Sequence, residues 1–185
     1  MPFMKKRTKI GKKTKMNKFD VLTCIEDERW KLALSDVEEI VDKCKTESLN
    51  VIKDDVAFLS EPKNFSVNLN LNNDKAIQDL NERFRGMNKP TNVLSFANID
   101  DEFFVQMLQA EEDVSLGDVM IAFETMMRES DELGISLHDH FCHLWVHGLL
   151  HILGFDHIKE EDRVEMEKKE IEILRMLQIE NPYQE

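Results

Sequence analysis

Long apolar runs and paired cysteines are both missing from this sequence of 185 residues. No apolar stretch approaches the roughly 18–20 residues that a membrane-spanning helix needs, and residues 1–19 lack the apolar segment of a secretory signal. Three cysteines without a CxxC pair argue against a disulfide scaffold and favour buried thiols in a reducing compartment. We therefore expect a cytoplasmic protein that does not contact membranes. The cysteines are Cys24, Cys44 and Cys142.

Positive charge is scarce outside the first part of the chain. Residues 1–18 contain eight Lys or Arg residues and no acid, whereas the whole chain has a net charge of −13, which leaves −21 for residues 19–185. Such an acidic body repels nucleic acid at long range, and a basic arm offsets that repulsion locally. We predict a flexible basic arm over residues 1–20 and one domain over residues 21–185. The arm can serve either in nucleic-acid binding or as a passive, solubilising tail.

Apolar periodicity alternates between strand and helix spacing along the chain. Alternating apolar residues predict strands over residues 65–71, 92–96 and 117–123, with a weaker strand at 56–59. Helical spacing predicts helices over residues 27–45, 74–85, 124–133, 137–153 and 159–177. The segment 98–115 is expected to form a variable lobe or a short helix. We therefore predict a single α+β domain with about four strands in a mixed sheet, packed by helices.

All six histidines fall between His138 and His157, and the last three belong to the pattern HxxxHxxGxxH. His147 and His151 are four residues apart, so on a helix they project from one face and can bind one ion. A left-handed turn at Gly154 can end the helix and return His157 to the same ion. Three neutral imidazoles leave a fourth position open for water, which is typical of catalytic zinc. We predict one zinc ion per chain, at the end of a buried helix.

His143 also lies four residues from His147, so the spacing alone allows two ligand pairs. One ion cannot bridge His143 and His151, which are two helical turns, roughly 11 Å, apart. Because the turn at Gly154 delivers the third ligand beside His151, we place His143 behind the ligands or in the cleft wall. Asp156 can either orient an imidazole or be a solvated turn residue. The remaining histidines, near the start of the helix, are predicted to lie on the surface: His138 and His140.

The residue after the first proposed ligand is Gly148, where zinc peptidases of the related HExxH pattern have a glutamate that acts as general base. A glycine cannot accept a proton. Either another group activates the water, or the reaction is not peptide hydrolysis.

The histidine pattern occurs in the string HGLLHILGFDH, which resembles the signature of the YbeY family of bacterial rRNA maturation factors. Two upstream segments resemble the same family in the same order, and together the three cover roughly residues 65–160. The segment LNERFRGMNKPTNVLSF is similar to the family's LNxxYRGxxxPTDVLSF block, and LGDVMI is similar to its LGDIxI strand. The three segments are residues 80–96, 116–121 and 147–157.

This sequence departs from the family pattern at a few positions, none of them a proposed ligand. Asn92 stands where Asp is usual, and Phe155 replaces a Tyr. Ala97 and Asn98 follow the LSF strand where a proline is often found, which can alter the loop that leaves that strand.

The resemblance implies a metal-dependent, single-strand-specific endoribonuclease that matures rRNA, including the 3′ end of 16S rRNA, and takes part in ribosome quality control. It implies RNA and the ribosome or ribosomal proteins as partners, with no DNA and no membrane. By the same resemblance Arg85 is a catalytic residue together with His147, since its planar guanidinium can bind a phosphate through two hydrogen bonds. A surface salt bridge is the alternative role for Arg85. Ser95 and Phe96 are predicted to line the cleft, with a core position equally open for Phe96.

Two other functions remain open at this point. The ligand spacing also matches zinc peptidases of the metzincin type, although Gly148 argues against peptide hydrolysis. The metal can instead be mainly structural in a ribosome-associated binding module, although three histidine ligands favour a catalytic site.

Overall fold

The computed structural model describes residues 18–183, so residues 1–17 of the predicted arm lie outside the described part of the chain. Four strands and seven α-helices are found in the described part. The strands are β1 (Phe19–Ile25), β2 (Asn64–Asn72), β3 (Val93–Ala97) and β4 (Asp113–Ala122). The helices are α1 (Arg29–Ala33), α2 (Val37–Ile52), α3 (Asp74–Arg85), α4 (Phe104–Ala110), α5 (Phe123–Leu133), α6 (Leu137–Ile152) and α7 (Glu160–Met176).

The four strands form one mixed sheet in the order β1-β2-β4-β3. β1 and β2 are parallel, as are β2 and β4, whereas the edge strand β3 runs antiparallel to β4. Helices connect the parallel strands, as such connections require. The predicted α+β class with a mixed four-stranded sheet is therefore confirmed.

The predicted strand over residues 56–59 is wrong, because Ala57–Ser60 forms a 3-10 helix. The fourth strand is β1, which the sequence pattern did not reveal. β1 is an edge strand whose side chains are only partly buried or exposed, so its apolar alternation is weak. Phe19 and Asp20 pair with β2, so the last two residues of the predicted arm belong to the sheet instead.

The other predicted elements are present with shifted ends. The helix predicted over residues 27–45 is divided into α1 and α2, because Leu34 leaves the helical conformation before α2 begins. Residues 98–115 contain a 3-10 turn, the short helix α4 and the start of β4. Asn73 caps α3 by accepting the Ala76 N–H at 3.0 Å, as its position before the helix predicts.

α6 lies at the centre of the core. It contacts β3 and β4 of the sheet, and also α2, α5 and α7. Trp145, Leu149 and Leu150 are fully buried in one large apolar cluster. A helix that is apolar nearly all round is expected in such a position. A smaller cluster joins α3 to β3 and β4 through Ile77 and Leu94.

The three cysteines differ in burial. Cys44 and Cys142 are buried, as expected, but Cys24 is exposed because it lies on the edge strand β1. Among residues 18–183, no helix is long and apolar enough to cross a membrane.

Candidate metal centre

Local interactions fix both ends of α6 and so set the positions of its histidines. At the start, the Ser136 hydroxyl accepts the Asp139 N–H at 3.0 Å, which caps the helix. At the end, the Phe155 N–H bonds back to the Leu150 carbonyl at 3.0 Å. Gly154 has a φ of 94°, which strongly favours glycine, and it reverses the chain. The reversal carries the next residues back towards the helix face that holds His147.

The three predicted ligands His147, His151 and His157 come together in the structure. One ligand atom from each lies within 4.8 Å of the other two, and the Nε2 atoms of His147 and His151 are 3.1 Å apart. Two nitrogen ligands of tetrahedral zinc, at bond lengths of about 2.0–2.1 Å, lie about 3.3 Å from each other. The cluster can therefore hold a metal ion, and its all-imidazole donor set suits zinc.

The far sides of two imidazoles are already hydrogen bonded. His147 Nδ1 lies 2.6 Å from Glu170 Oε1, and His151 Nδ1 lies 3.0 Å from the Phe155 carbonyl oxygen. Both acceptors require a proton on Nδ1, which leaves Nε2 as the lone-pair nitrogen. Burial, together with the neighbouring His147 and His157, lowers the pKa of His151 to about 4, so this imidazole is neutral at physiological pH. Neutral imidazole is the form that binds metal.

Glu170 is a residue of the candidate site that the sequence reasoning missed. It is fully buried on α7 and contacts a proposed ligand from a position 23 residues further along the chain. Burial alone would raise the pKa of the Glu170 carboxyl, but hydrogen bonding with His143 and His147 outweighs burial and lowers this pKa to about 2. The available signal was a glutamate on the apolar stripe of α7, where it follows Met166 and precedes Ile173 and Leu174.

His143 and Asp156 take different positions around the ligands. His143 is not a member of the metal-binding cluster, and its Nε2 lies 3.6 Å from Glu170 Oε2, behind His147. Of the two predicted places for His143, behind the ligands or in the cleft wall, this contact favours the first, and His143 does not line the cleft. Asp156 accepts the backbone N–H of His157 at 2.7 Å, so its observed bond stabilises the turn. The imidazoles of His147 and His151 are held by other groups.

The predicted surface position of His140 is wrong. It is only 3% exposed, because its side of α6 packs against α5. Its Nε2 lies 2.8 Å from Glu129 Oε2, which also accepts the amide of Asn92 at 2.9 Å. An aspartate at position 92 would place a second carboxylate against Glu129, so the amide at this position matches its surroundings. His138, by contrast, is exposed as predicted.

Gly148 faces the sheet and not the histidine cluster. A Cβ atom at this position would lie 2.6 Å from Val119 Cγ1 and 3.2 Å from Ser95 Oγ. The Ser95 hydroxyl donates to the Gly148 carbonyl at 3.3 Å, which also joins β3 to α6. A glycine is therefore needed for close packing of α6 on the sheet, and a glutamate general base cannot occupy this position.

The histidine cluster lies in a cleft of about 570 Å³. Arg85, Ser95 and the three clustered histidines all line this cleft. Arg85 ends α3, its side chain is exposed, and it forms no ion pair with any residue of 18–183. The alternative role as a partner in a surface salt bridge therefore has no support in this part of the chain.

Phe96 does not line the cleft, in contrast to its neighbour Ser95. Successive residues of a strand point to opposite faces, and Phe96 packs with the small cluster below α3. Its ring centroid lies 5.2 Å from that of Phe84 in an edge-to-face arrangement. Of the two roles predicted for Phe96, the structure supports the core position.

Several curated proteins are similar in sequence to this chain. Endoribonuclease YbeY of Paramagnetospirillum magneticum is 48% identical over 115 residues, which cover 62% of this chain and 69% of that protein. The Rhodospirillum rubrum protein of the same name is 49% identical over 117 residues, but the match spans only 58% of its length. Endoribonuclease YbeY of Francisella philomiragia is 38% identical over 152 residues, which cover 74% of this chain and 94% of that protein.

A solved structure shows the same fold. The solution structure of TM1509 from Thermotoga maritima superposes with a TM-score of 0.50 at 19% identity, covering 90% of this chain and all of that one. The family model described as Endoribonuclease YbeY matches residues 25–178, which include every strand except most of β1 and every helix. This chain therefore belongs to the YbeY family.

Proposed function

We propose that this protein is a metal-dependent endoribonuclease that cuts single-stranded rRNA in the cytoplasm, with roles in maturing the 3′ end of 16S rRNA and in ribosome quality control. Its zinc ligands are His147, His151 and His157, and its partners are the RNA substrate and ribosomal proteins. The observation that carries the proposal is one cleft that brings three imidazoles together with an arginine that forms no ion pair among residues 18–183. The family membership points to the same activity.

Within the cleft, the histidines would bind the metal and Arg85 would bind the phosphate. A bound metal ion would polarise a phosphoryl oxygen and lower the pKa of a coordinated water towards about 7. The Nδ1 partners of His147 and His151 hold both rings so that their Nε2 atoms converge. Arg85, free of ion pairs in the described part of the chain, can bind the scissile phosphate and stabilise its developing negative charge.

The concave shape of the cleft suits a single strand. A flexible, unpaired strand can bend its backbone to bring one phosphate between the metal ligands and Arg85. A regular duplex exposes its backbone on a wide convex surface, which is less able to enter a concave site. We therefore assign the preference for single strands to the shape of the cleft.

Peptide hydrolysis is the competing activity, and the packing at Gly148 argues against it. The HExxH peptidases place their general base one residue after the first ligand. In this protein a Cβ atom at that position would lie 2.6 Å from Val119 Cγ1, so even an alanine would force its neighbours to shift, and a glutamate side chain would point into the sheet. A base supplied from the peptidase position is therefore sterically excluded.

One experiment separates these activities. The zinc-loaded protein is offered single-stranded RNA, the matching RNA duplex and casein under the same conditions. We expect cleavage of the single strand, which His151→Ala abolishes and His138→Ala, at the exposed start of α6, leaves unchanged. Casein hydrolysis that depends on His151, with RNA left intact, would contradict the proposed function.

A further inference from the structure

We propose that Glu170 is a positioning residue for the metal ligand His147, and that Tyr183 couples this ligand to the C-terminal segment of residues 177–183. The inference rests on the metal centre of the proposed function and extends it to a region that contributes no ligand. Its consequence is reciprocal: the C-terminal segment strengthens metal binding, and bound metal stabilises the docked segment.

The Glu170 carboxylate is shared among three side chains. Oε1 accepts from His147 Nδ1 at 2.6 Å, while Oε2 accepts from the Tyr183 hydroxyl and lies 3.6 Å from His143 Nε2. A buried carboxylate is stable only when such partners replace its lost hydration. Each partner that is removed should therefore weaken the orientation of the others.

The backbone after α7 brings Tyr183 back to this position. Gln178 adopts a left-handed conformation with a φ of 64°, and the Ile179 N–H bonds to the Leu174 carbonyl at 2.9 Å. Together these features end α7 and reverse the direction of the chain. Leu177 is buried beside the turn and Ile179 packs against the core, so the segment is anchored before it reaches Tyr183.

The segment also lines a second, smaller cavity, which shares two of the proposed ligands with the cleft. This cavity of about 180 Å³ is lined by His147 and His157 on one side, and by Met166, Glu170 and Tyr183 on another. Two proposed ligands therefore face the C-terminal segment as well as the cleft.

Glu170 can act on the metal through the tautomer and the rotation of one ring. Its carboxylate holds the His147 proton on Nδ1, which keeps Nε2 free to bind metal and makes it a better donor. A bound cation would in turn strengthen the hydrogen bond from Nδ1 to the carboxylate. The bond from Nε2 to the metal and the hydrogen bond from Nδ1 to Glu170 therefore strengthen each other, which is the physical basis of the proposed coupling.

The first test measures zinc affinity in the full-length chain, by competition with a chromophoric chelator. Glu170→Gln keeps the size of the side chain but replaces the carboxylate, and we expect zinc binding to weaken roughly 10–100-fold. Glu172→Gln is the matched control, because Glu172 is exposed on the same helix and the change of charge is the same. The control should bind zinc like the parent.

Thermal unfolding separates positioning from simple stabilisation. If Glu170 positions a ligand, the increase in Tm caused by zinc should be smaller in Glu170→Gln than in the parent. Equal zinc affinity in Glu170→Gln and the parent, with both apo and zinc-loaded forms merely less stable, would overturn the positioning role. A parent chain that bound no zinc would overturn the metal centre itself, and this inference with it.

Tyr183→Phe tests the coupling by removing one hydrogen bond to the Glu170 carboxylate while the carboxylate itself is kept. We expect a smaller loss of zinc affinity, in the same direction as Glu170→Gln. Hydrogen exchange of the amides in residues 177–183 should slow when zinc binds to the parent, and this slowing should disappear in Tyr183→Phe. Equal slowing in both proteins, with equal zinc affinity, would overturn the coupling of the C-terminal segment.

Discussion

The two walls of the cleft are built in opposite ways. The ligand wall consists of the end of α6 and the turn that follows it, residues 147–157, and α7 supports it from behind. The facing wall runs from the end of α3 to β3, residues 85–95. In the ligand wall, two imidazoles are held by Glu170 and by the Phe155 carbonyl. In the facing wall, Arg85 is exposed and forms no ion pair with the described residues.

This difference matches the tasks that we propose for each wall. A metal site benefits from ligands whose orientation is set before the ion arrives, because less conformational freedom is then lost on binding. A side chain that binds substrate phosphate must be free of internal ion pairs so that the phosphate can take that place. The contrast leads to predictions that separate metal binding from phosphate binding.

Loss of a ligand should have the largest effect. His151→Ala removes one of three imidazoles, so we expect zinc and RNA cleavage to be lost together. Metal content measured after dialysis tests the loss of zinc, and a single-strand cleavage assay tests the loss of activity. His138→Ala is the control, because His138 is exposed at the other end of α6. Full zinc occupancy in a double mutant of His147 and His151 would show that the ligand wall has been wrongly assigned.

Loss of the arginine should affect the reaction alone. Arg85→Ala should keep zinc and nearly all stability, while the cleavage rate should fall on the order of 10²–10³-fold, because one charge-stabilising donor is removed. Arg85→Lys should recover only part of the rate, since an ammonium group cannot reproduce the two-pronged guanidinium contact. Arg83→Ala, an exposed arginine in the same turn of α3, is the control. Cleavage by Arg85→Ala at the parental rate would make this residue structural.

Gly148→Ala tests the packing that joins the two walls. An alanine ordinarily stabilises a helix relative to glycine by roughly 0.5–1 kcal/mol. Here the added Cβ would lie 2.6 Å from Val119 Cγ1, so we expect net destabilisation of about 1–3 kcal/mol. Urea unfolding of the zinc-free protein measures the effect. An increase in stability would show that the Val119 side chain on β4 can move to make room for the added Cβ atom.

Deletion of residues 1–17 should have the smallest effect on either wall. Lys18 is retained, because its carbonyl accepts the Phe65 N–H at 2.8 Å beside the first strand pair. We expect zinc binding and unfolding to be unchanged, since the deleted segment is rich in lysine and poor in apolar residues. RNA affinity should fall, and its log–log dependence on salt should flatten by roughly 0.7 for each phosphate that the arm no longer neutralises. Unchanged affinity and slope would make the arm a passive tail.

The ligand wall was largely predictable from the sequence because it is local. Helical spacing relates His147 to His151, and a glycine turn three residues later returns His157, so eleven consecutive residues suffice to assemble the cluster. The facing wall was predicted mainly through resemblance to a family, since the spacing of its residues gives no measure of their distance from the histidines. The fourth strand was missed because an edge strand shows little contrast between its two faces.

The class of the fold and the convergence of three imidazoles could be predicted from the residue pattern, because they depend on local periodicity and on one glycine turn. The groups behind those imidazoles could not be predicted, because they come from other elements of the fold. Glu170 comes from a separate helix, and the burial of His140 depends on the packing of α5 against α6. The need for a glycine at position 148 was likewise not predictable from the local sequence, because it arises from the close approach of Val119 on β4. Contacts between distant segments depend on how whole elements pack, and no local pattern of residues records that packing.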